Sequence, residues 1–396
     1  MKRIATALLF LAALPVEAGW QFTPAVEVGA ASGKKIFHHL ESANRKGLAE
    51  SAGRVALAWE DNRAGEPHCW LAVREKGVAA FSRPQPLGAG ECYEPVVQGM
   101  GNGRFVAAWE EDGAVWVKPA DKGKAIQLSR GEAAHITLAK LDERTFYAAW
   151  AEQTGKFKRI MLARLALEAG RLKAEYSVPL EDGMPIDDQA YPALAVSADG
   201  GVTAAWEDRR KKHTMMLAAH SADGKTFAAP YRLIDMPQTR TIDLGAGMGS
   251  MRPTLAACGP NCIVAAWLDK RDFLSGYDVF AAFSDNGGRS FGRNLKVQDS
   301  FGDNIAQWHA AVAASQSGRV VAIWDDERDG TADVWLSDWS GSAFADDVAV
   351  RDASGPGVQS DPVIHLDAAG VLHLAWLERT EAGGTRLNYA SAVWKD

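Results

Sequence analysis

The hydrophobic pattern of the chain is dominated by one short motif that returns seven times. In each copy a few apolar residues, rich in alanine and valine, run without alternation into a tryptophan. The copies end at Trp59, Trp109, Trp150, Trp206, Trp267, Trp324 and Trp376, at steps of 41 to 61 residues. An unbroken apolar run of this length predicts a strand covered on both faces. Short strands repeated at this spacing indicate the blades of a β-propeller rather than a helical solenoid.

The residues around each tryptophan predict four strands per repeat. An X-Pro or equivalent pair, such as Glu94-Pro95, opens a first strand, because proline is tolerated where a strand begins. A turn then leads into the tryptophan strand, and a third and a fourth strand follow, as in 277–284 and 227–234. We therefore predict an all-β fold, a single seven-bladed β-propeller with four-stranded blades.

The two ends of the chain are predicted to complete one blade. The last repeat stops after its third strand at 389–394, whereas residues 20–28 have the pattern of an isolated fourth strand. Pairing the two closes the ring and removes an open sheet edge. The predicted blades span about 30–88, 89–130, 131–181, 182–236, 237–299, 300–352, and 353–396 together with 19–29.

The first eighteen residues have the features of a secretory signal peptide. Lys2 and Arg3 precede an apolar run over 4–14, and a small-residue cleavage site ends at Ala18. No other stretch approaches about 18 consecutive apolar residues, so we expect no membrane span. The propeller is then residues 19–396 of a protein that is periplasmic or secreted.

Composition excludes several classes of protein. The 396 residues are 47% hydrophobic and 23% charged, which suits one large folded body and argues against disorder. The net charge of −7 comes without a basic run, so a nucleic-acid partner is not expected. We expect a monomer without a cofactor.

The four cysteines form an even set in a chain bound for an oxidising compartment, which favours disulfides over metal ligation or free thiols. Cys258 and Cys262 flank a short turn between a first and a second strand, close enough to bridge it. Cys69 and Cys92 both belong to the face where first strands begin. We predict one bridge within each pair.

The segment Ser284–Phe291 resembles the Asp-box, S-x-D-x-G-x-x-W/F, with Asn286 in the aspartate position. The segment Ser221–Phe227 is a shorter relative of it. On these motifs the mature chain resembles the sialidase-like (bacterial neuraminidase repeat) propeller proteins, a resemblance that also leaves a six-bladed sialidase-type ring as the alternative fold. In that family the Asp-box is a turn between third and fourth strands, away from the site.

The same resemblance implies a catalytic set of an arginine triad, a tyrosine nucleophile activated by glutamate, and an aspartate acid/base. Arg252, before Pro253, is the one arginine of this sequence in a comparable place. No second or third triad arginine can be assigned, and the family's enzymes have six blades. We therefore expect no sialidase activity.

The repeat predicts two rings of residues at the mouth of the axial channel. The inner ring opens the first strands and mixes acids, imidazoles and other polar groups: Asn44, Glu94, His135, Tyr191, Arg252, His309 and Asp361. These are the candidate binding residues, unless they merely surround a water column. The outer ring, two residues past each tryptophan, is acidic in all seven repeats, which indicates loop caps rather than binding groups.

Three functions remain open. The first is a module that binds or assembles with a glycan or an exported protein at the channel mouth. The second is a glycoside hydrolase in which Glu94 and Asp361 act as acid and base, with Tyr191 in the site. The third is a copper site of His135, His309, Met248 and Met251.

Overall fold

The structure is a computed structural model that describes residues 19–396 apart from 34, 122, 236–248, 272–275, 300–304 and 380–382. The signal peptide predicted for residues 1–18 and the copper candidate Met248 lie outside the described residues. Over the described part, the chain forms strands and two short 3-10 turns, and no helix there is long and apolar enough to cross a membrane.

Seven antiparallel sheets form the blades of a ring, which confirms the seven-bladed propeller over the six-bladed alternative. The chain begins with β1 (Gly19–Phe22) and β2 (Val26–Ala31), which belong to blade 7. The strands of blades 1 to 3 are β3 (His38–His39), β4 (Leu48–Ser51), β5 (Arg54–Asp61), β6 (His68–Arg74), β7 (Gln85–Pro86); β8 (Cys92–Gly99), β9 (Phe105–Glu111), β10 (Ala114–Pro119), β11 (Ile126–Gln127); and β12 (Ala133–Lys140), β13 (Thr145–Thr154), β14 (Phe157–Glu168), β15 (Arg171–Pro179).

Blades 4 to 7 repeat this order. Their strands are β16 (Gln189–Val196), β17 (Val202–Asp208), β18 (Met215–Ser221), β19 (Tyr231–Arg232); β20 (Ser250–Ala257), β21 (Ile263–Asp269), β22 (Asp278–Ser284), β23 (Leu295–Lys296); β24 (Gln307–Ala314), β25 (Val320–Asp326), β26 (Asp333–Asp338), β27 (Val348–Ala349); and β28 (Val358–Leu366), β29 (Val371–Arg379), β30 (Thr385–Lys395).

The first strand of each blade lies innermost. The contacts run from β4 through β8, β12, β16, β20, β24 and β28 and back to β4, so these strands surround the axis. The second strands carry the seven repeat tryptophans, whose side chains are 0–1% exposed. Each tryptophan packs in a core shared by two neighbouring blades, as Trp150 does with Val96 and Val106. The unbroken apolar runs are therefore strands buried on both faces, as predicted.

The ends of the chain close the ring as predicted. β30 pairs with β29 on one edge and with β1 and β2 on the other, with Trp20 opposite Trp394 and Val26 opposite Tyr389. The indole N–H of Trp20 also donates to Asp338 of blade 6 at 2.7 Å. The closing segment is two strands rather than one, because Pro24 between them has no N–H to donate to the ladder.

The outermost strands are shorter than the sequence suggests. The fourth strand predicted over 227–234 is limited to Tyr231–Arg232, and five blades end in a two-residue strand. Blade 3 differs, since β15 has nine residues. Outer strands have one face in solvent, so their hydrophobic pattern defines their ends poorly.

Both predicted disulfides are present, Cys69–Cys92 and Cys258–Cys262, with Cα–Cα distances of 5.4 and 4.9 Å. The first joins the third strand of blade 1 to the first strand of blade 2, and the second closes the β20–β21 turn.

Removing the Cys69–Cys92 bridge should cost more stability than removing Cys258–Cys262. The two bridges close sequence separations of 23 and 4 residues, and the entropy that a cross-link removes from the unfolded chain grows with loop length, to about 3 against about 2 kcal/mol. Urea denaturation of the two double Cys→Ala variants measures the difference. Equal losses would contradict the loop-length account.

Candidate functional site

A left-handed residue stands at the same place in the first strand of six blades. Its φ is 46° at Glu94, 58° at His135, 47° at Tyr191, 55° at Arg252, 51° at His309 and 59° at Asp361. The pairing with the second strand shifts register there, as between Tyr93 and Val96, so each residue forms a β-bulge. Such a backbone is strained for a residue other than glycine. Six residues of the predicted inner ring therefore share one conformation at the channel mouth.

Carboxylates of the preceding blade hold four of these bulges. Glu207 accepts the backbone N–H of Arg252 at 2.8 Å, and Asp325 accepts that of Asp361 at 3.3 Å. Glu110 accepts the N–H of His135, and Glu60 lies 3.4 Å from the nitrogen of Glu94. All four directly follow a repeat tryptophan. Sequence reasoning missed them, although an acidic residue at this position in four of seven repeats was a visible signal.

Three ring residues from adjacent blades stack on one another. The rings of His135 and Tyr191 are 3.7 Å apart, and the guanidinium of Arg252 lies 3.4 Å from the centroid of Tyr191 on blade 4. Arg252 is held by Glu41, at 2.8 Å from its Nε, and by Glu207, at 3.2 Å from Nη1. The guanidinium is therefore engaged on its edge and on its face.

The other ring residues form an ion-pair network. His309 Nδ1 lies 2.6 Å from Asp325, and Nε2 lies 3.7 Å from Asp361. Arg45 contacts Asp361 at 3.0 Å and Glu41 at 2.8 Å. Because Glu41 also contacts Arg252, it links the two groups of ring residues.

Blade 1 departs from the repeat and places Asn44 below the mouth. Residues 40–47 leave the inner strand between β3 and β4 and include the 3-10 turn Ala43–Arg45. The Asn44 amide donates to the carbonyl of Leu194 at 3.1 Å and accepts the N–H of Leu255 at 2.8 Å. It is 5% exposed and ties together the inner strands of blades 4 and 5. Blade 1 contributes Glu41 and Arg45 to the mouth instead.

The acidic side of the mouth has strongly shifted pKa values. Burial raises the pKa of Glu94 well above its usual value, and the nearby Glu110 and Glu41 raise it further. Burial also raises the pKa of Glu110 to about 7. Burial, together with Arg252, lowers the pKa of His135 to about 3. Burial thus favours the acid form of Glu94 and the neutral form of His135.

In the network around His309 the pKa values shift in the opposite sense, toward the charged forms of both groups. Burial acts to lower the pKa of His309, but Asp361 and Asp325 outweigh it and raise the pKa to about 9. Burial acts to raise the pKa of Asp361, and His309 with Arg45 overcomes it and lowers the pKa. This side of the mouth is therefore a charged pair at neutral pH.

Two polar atoms of the ring have no partner. Glu94 Oε2 and His135 Nδ1 are buried, and neither makes a hydrogen bond within the described residues. Unsatisfied buried polar atoms are costly, so they are the groups of the mouth that a polar ligand would satisfy.

The copper hypothesis stays a prediction, and its residue His309 has carboxylates close by. A possible metal-ligand group there is Glu41, His309 and Asp361, whose ligand atoms lie within 4.8 Å of one another, and it does not include His135. Arg45 already contacts both carboxylates of this group. The arginine supplies the positive charge that a metal ion would bring.

The outer ring makes the contacts of loop caps. In five blades the acid two residues past the tryptophan accepts the indole N–H, as Asp326 does from Trp324 at 3.0 Å. Where an arginine follows, it pairs with the same acid, and the four pairs are Asp61–Arg63, Asp208–Arg210, Asp269–Arg271 and Asp326–Arg328.

Large apolar side chains are exposed around the same face. Tyr93 is 38% and Trp308 41% exposed, each directly before a ring residue. Met184 and Ile186, in the loop that enters blade 4, are exposed still further. Trp308 packs on one side against Tyr277 at 5.3 Å. The inner ring is thus bordered by exposed apolar side chains.

The Asp-box segments lie away from this face. Ser284–Phe291 follows β22 and leads toward β23, and Asn286 accepts the N–H of Ser290 at 3.0 Å. Asp223 accepts the N–H groups of Lys225 and Thr226 in the same way. These are tight turns between third and fourth strands.

No protein-family model matches the sequence, and no curated protein matches it. A protein of unknown function from Dyadobacter fermentans aligns with 94% of this chain and all of its own, at a TM-score of 0.57 and 11% identity. The chain is a β-propeller. That likeness supports the fold alone, and the sialidase family is not confirmed.

Two glycoside hydrolases align less well. The GH93 α-L-arabinofuranosidase of Fusarium graminearum, in complex with arabinobiose, gives a TM-score of 0.49 at 10% identity over 76% of this chain and 93% of its own. An α-L-arabinanase of Penicillium chrysogenum gives 0.44 at 12% identity over 75% and 92%. At TM-scores below 0.5 these two enzymes say nothing about the site of this protein.

Proposed function

We propose that this propeller binds a neutral or cationic polar ligand, foremost a glycan, at its channel mouth, and that it is not a sialidase. The observation that carries the proposal is the set of unpaired polar atoms, Glu94 Oε2 and His135 Nδ1, beside the Tyr191–Arg252 stack and the exposed Trp308. Polar groups that fix orientation next to apolar faces are the usual composition of a small-molecule site.

The charge of the mouth selects against anionic sugars. Carboxyl groups of Glu41, Glu60, Glu94, Glu110 and Glu207 surround the stack. Arg252, the arginine that the sialidase resemblance points to, is already bound by two of them. A sialic-acid carboxylate would find the guanidinium groups of Arg252 and Arg45 already paired with carboxylates, so it would gain no cation there.

The exposed aromatic side chains around the mouth suit the binding of a sugar ring. Trp308 and Tyr93 offer partly exposed apolar faces, and each has a polar edge that can stay in water. A pyranose or furanose has an apolar face and a polar rim, so its face can stack on an aromatic side chain of the mouth while its hydroxyls stay free for polar groups.

Hydrolysis is the second candidate, favoured by the opposite pKa shifts of two ring carboxyls. Glu94, with its raised pKa, could donate a proton, and Asp361, with its lowered pKa, could act as base or nucleophile. Asp361, however, is buried and already bound by Arg45 and His309. This engagement favours a structural role for Asp361 and binding for the mouth.

Substituting Trp308 by alanine should weaken glycan binding about three- to tenfold, the loss expected from one aromatic stack. A glycan array of neutral sugars, amino sugars and sialosides identifies the ligand, and titration calorimetry measures its affinity. Trp339→Ala, on the outer edge of blade 6, is the control and should bind as the wild type does. An array in which sialosides bind best would contradict the charge argument.

A panel of fluorogenic glycosides, including arabinofuranosides and sialosides, separates binding from hydrolysis. We expect no turnover. Turnover that disappears in Glu94→Gln or Asp361→Asn would instead establish a glycosidase.

A further inference from the structure

Three carboxyl groups on one side of the mouth have no cation paired with them. Glu60 and Glu110 each follow a repeat tryptophan, in blades 1 and 2, and Glu94 is the bulged residue of blade 2. None of the three makes an ion pair within the part of the chain that the structure describes. The Glu60 residue is 5% exposed, and its carboxylate has a single contact there, the N–H of Glu94 at 3.4 Å. Glu94 and Glu110 are partly exposed.

The acids on the other side of the mouth are neutralised by neighbouring cations. Glu207 pairs with Arg252 at 3.2 Å, and Asp325 pairs with His309 at 2.6 Å. The acids of blades 1 and 2 occupy the same position after their tryptophans, but the ring residues whose backbone they hold bring no positive charge. The repeat therefore leaves a negative cluster at blades 1 and 2 alone.

The three acids of this cluster repel one another. Burial raises the pKa of Glu94, and the nearby Glu110 raises it further. Burial raises the pKa of Glu110 to about 7, and Glu60 acts in the same direction. The other charged or titratable groups that face the three acids are His39, Glu41, Asp61, Lys158 and Arg252. Carboxylates this close favour either the uptake of a proton or the binding of a cation.

The unpaired atoms beside these acids match a donor rather than an acceptor. Glu94 Oε2 and His135 Nδ1 are buried without a hydrogen-bond partner in the described residues. Burial favours the neutral imidazole, which has one nitrogen that accepts. An ammonium group brings three N–H donors and a positive charge, and its hydrogen bonds to carboxylates are strong ones. A sugar hydroxyl brings one donor and no charge.

The spacing of the acids suits an organic cation better than a metal ion. Among the described residues, the ligand atoms that lie within 4.8 Å of one another belong to Glu41, His309 and Asp361 on the other side of the mouth. The oxygens of the three unpaired acids do not meet in such a group. A cation with several directed donors can bridge them where a single ion does not.

We propose that Glu60, Glu94 and Glu110 bind a primary ammonium group, which on a glycan is the free amine of an amino sugar. The ammonium donates to the carboxyls of Glu94 and Glu110 and to His135 Nδ1, and the buried Glu60 adds its charge. Recognition of the amine rests on these charges, whereas the sugar that carries it rests on the function proposed above. Because a bound cation lowers the pKa of neighbouring acids, binding releases protons from the protein.

Titration calorimetry of the full mature chain at about pH 6, with glucosamine and with N-acetylglucosamine, tests the proposal. The two sugars differ in whether their nitrogen is charged or acetylated. Glucosamine should bind about tenfold more tightly, as expected for a charge-assisted contact. It should also release protons, measured in buffers of different ionisation enthalpy, whereas N-acetylglucosamine should release none.

Glu60→Gln and Glu110→Gln remove the charge and keep an oxygen that accepts the N–H of the bulge. Each should weaken glucosamine binding about five- to tenfold and leave N-acetylglucosamine binding unchanged. Both variants should stay folded in thermal unfolding, because each removes a repelling charge, and either one suffices if the other does not fold. Glu327→Gln, at an exposed acid of the same face, is the control and should follow the wild type.

The outcomes separate this inference from the glycan proposal. Equal affinity for the two sugars, or unchanged glucosamine binding in both variants, would overturn ammonium recognition and leave a glycan site. Binding of ethanolamine without binding of either sugar would support the ammonium site and overturn the glycan ligand. Calcium ions that bind more tightly than glucosamine and displace it would assign the acids to a metal and overturn the proposal.

Discussion

Replacing Trp324 by alanine should lower the free energy of unfolding by about 3–5 kcal/mol. The side chain is fully buried between blades 5 and 6, where it packs with Val264 and Ala322. Its indole N–H donates to Asp326 at 3.0 Å, and Asp326 in turn holds Arg328. Truncation therefore leaves a cavity and removes one of the donors to the buried Asp326 carboxylate, which keeps those of Arg328. Chemical denaturation monitored by circular dichroism measures the loss.

Trp308→Ala is the matched control for this variant. Trp308 lies in the same blade, one strand away, but is 41% exposed. Its removal should cost clearly less than the removal of Trp324, because much of its side chain already lies in water. If both substitutions cost the same, the seven tryptophans would not be the packing units that the repeat indicates.

Glu110 and His309 should each lose their stabilising effect as pH rises from 5 to 9. The buried His38 and His135 act in the opposite sense below pH 6.5, because their lowered pKa values, about 4 and about 3, make the folded state more stable as pH rises toward 6.5. The pKa of Glu110 is raised to about 7 in the folded protein. Its favourable contribution to the free energy of unfolding is therefore complete below about pH 4.5 and is lost as pH rises through 7. The raised pKa of His309, about 9, gives a contribution that is complete below about pH 6.5 and is lost as pH rises through 9. At about 1.4 kcal/mol per pKa unit, each is worth at most about 3.5 kcal/mol. The share of His309 is the smaller, because its partly exposed side chain is screened by solvent.

Two variants separate these contributions. The glutamine of Glu110→Gln can still accept the His135 N–H. This variant should remove the loss of stability with rising pH between pH 4.5 and 7 only. His309→Gln should remove it between pH 6.5 and 9. The lowered pKa of Asp361 acts below about pH 4 and does not enter this window. Glu168→Gln, at an exposed position, should follow the wild type. If Glu110→Gln and His309→Gln also follow the wild type from pH 5 to 9, the assignment is refuted.

The parts of the fold that were predictable are those with a local, repeated cause. Seven apolar runs ending in tryptophan predicted the blades, because a strand buried on both faces leaves a continuous hydrophobic pattern. The unpaired strand at residues 20–28 predicted the closure, and turn spacing predicted both disulfides. The same alignment of the repeats also located the six bulged residues, which are Glu94, His135, Tyr191, Arg252, His309 and Asp361.

The parts that were not predictable depend on departures from the repeat. Residues 40–47 of blade 1 cross the channel, so counting back from Trp59 assigned Asn44 to the mouth when Glu41 and Arg45 occupy it. The raised pKa of Glu94 could not be foreseen either, since it depends on burial and on acids of its own blade and of blade 1. The charges at a propeller mouth come from strands that are distant in sequence, so their combined effect on one pKa cannot be read from a single repeat.

The left-handed bulge has a consequence for how the ligand preference of this protein can change. The carboxylate of the preceding blade and, in four blades, the following proline fix the backbone, so the outward side chain does little to hold the strand. Residues that tolerate positive φ, such as asparagine, aspartate and histidine, can be exchanged there, whereas valine or isoleucine would clash. Blades 2 to 6 thus each present one exchangeable side chain on the same bulged backbone, and ligand selectivity can be engineered or evolved one blade at a time.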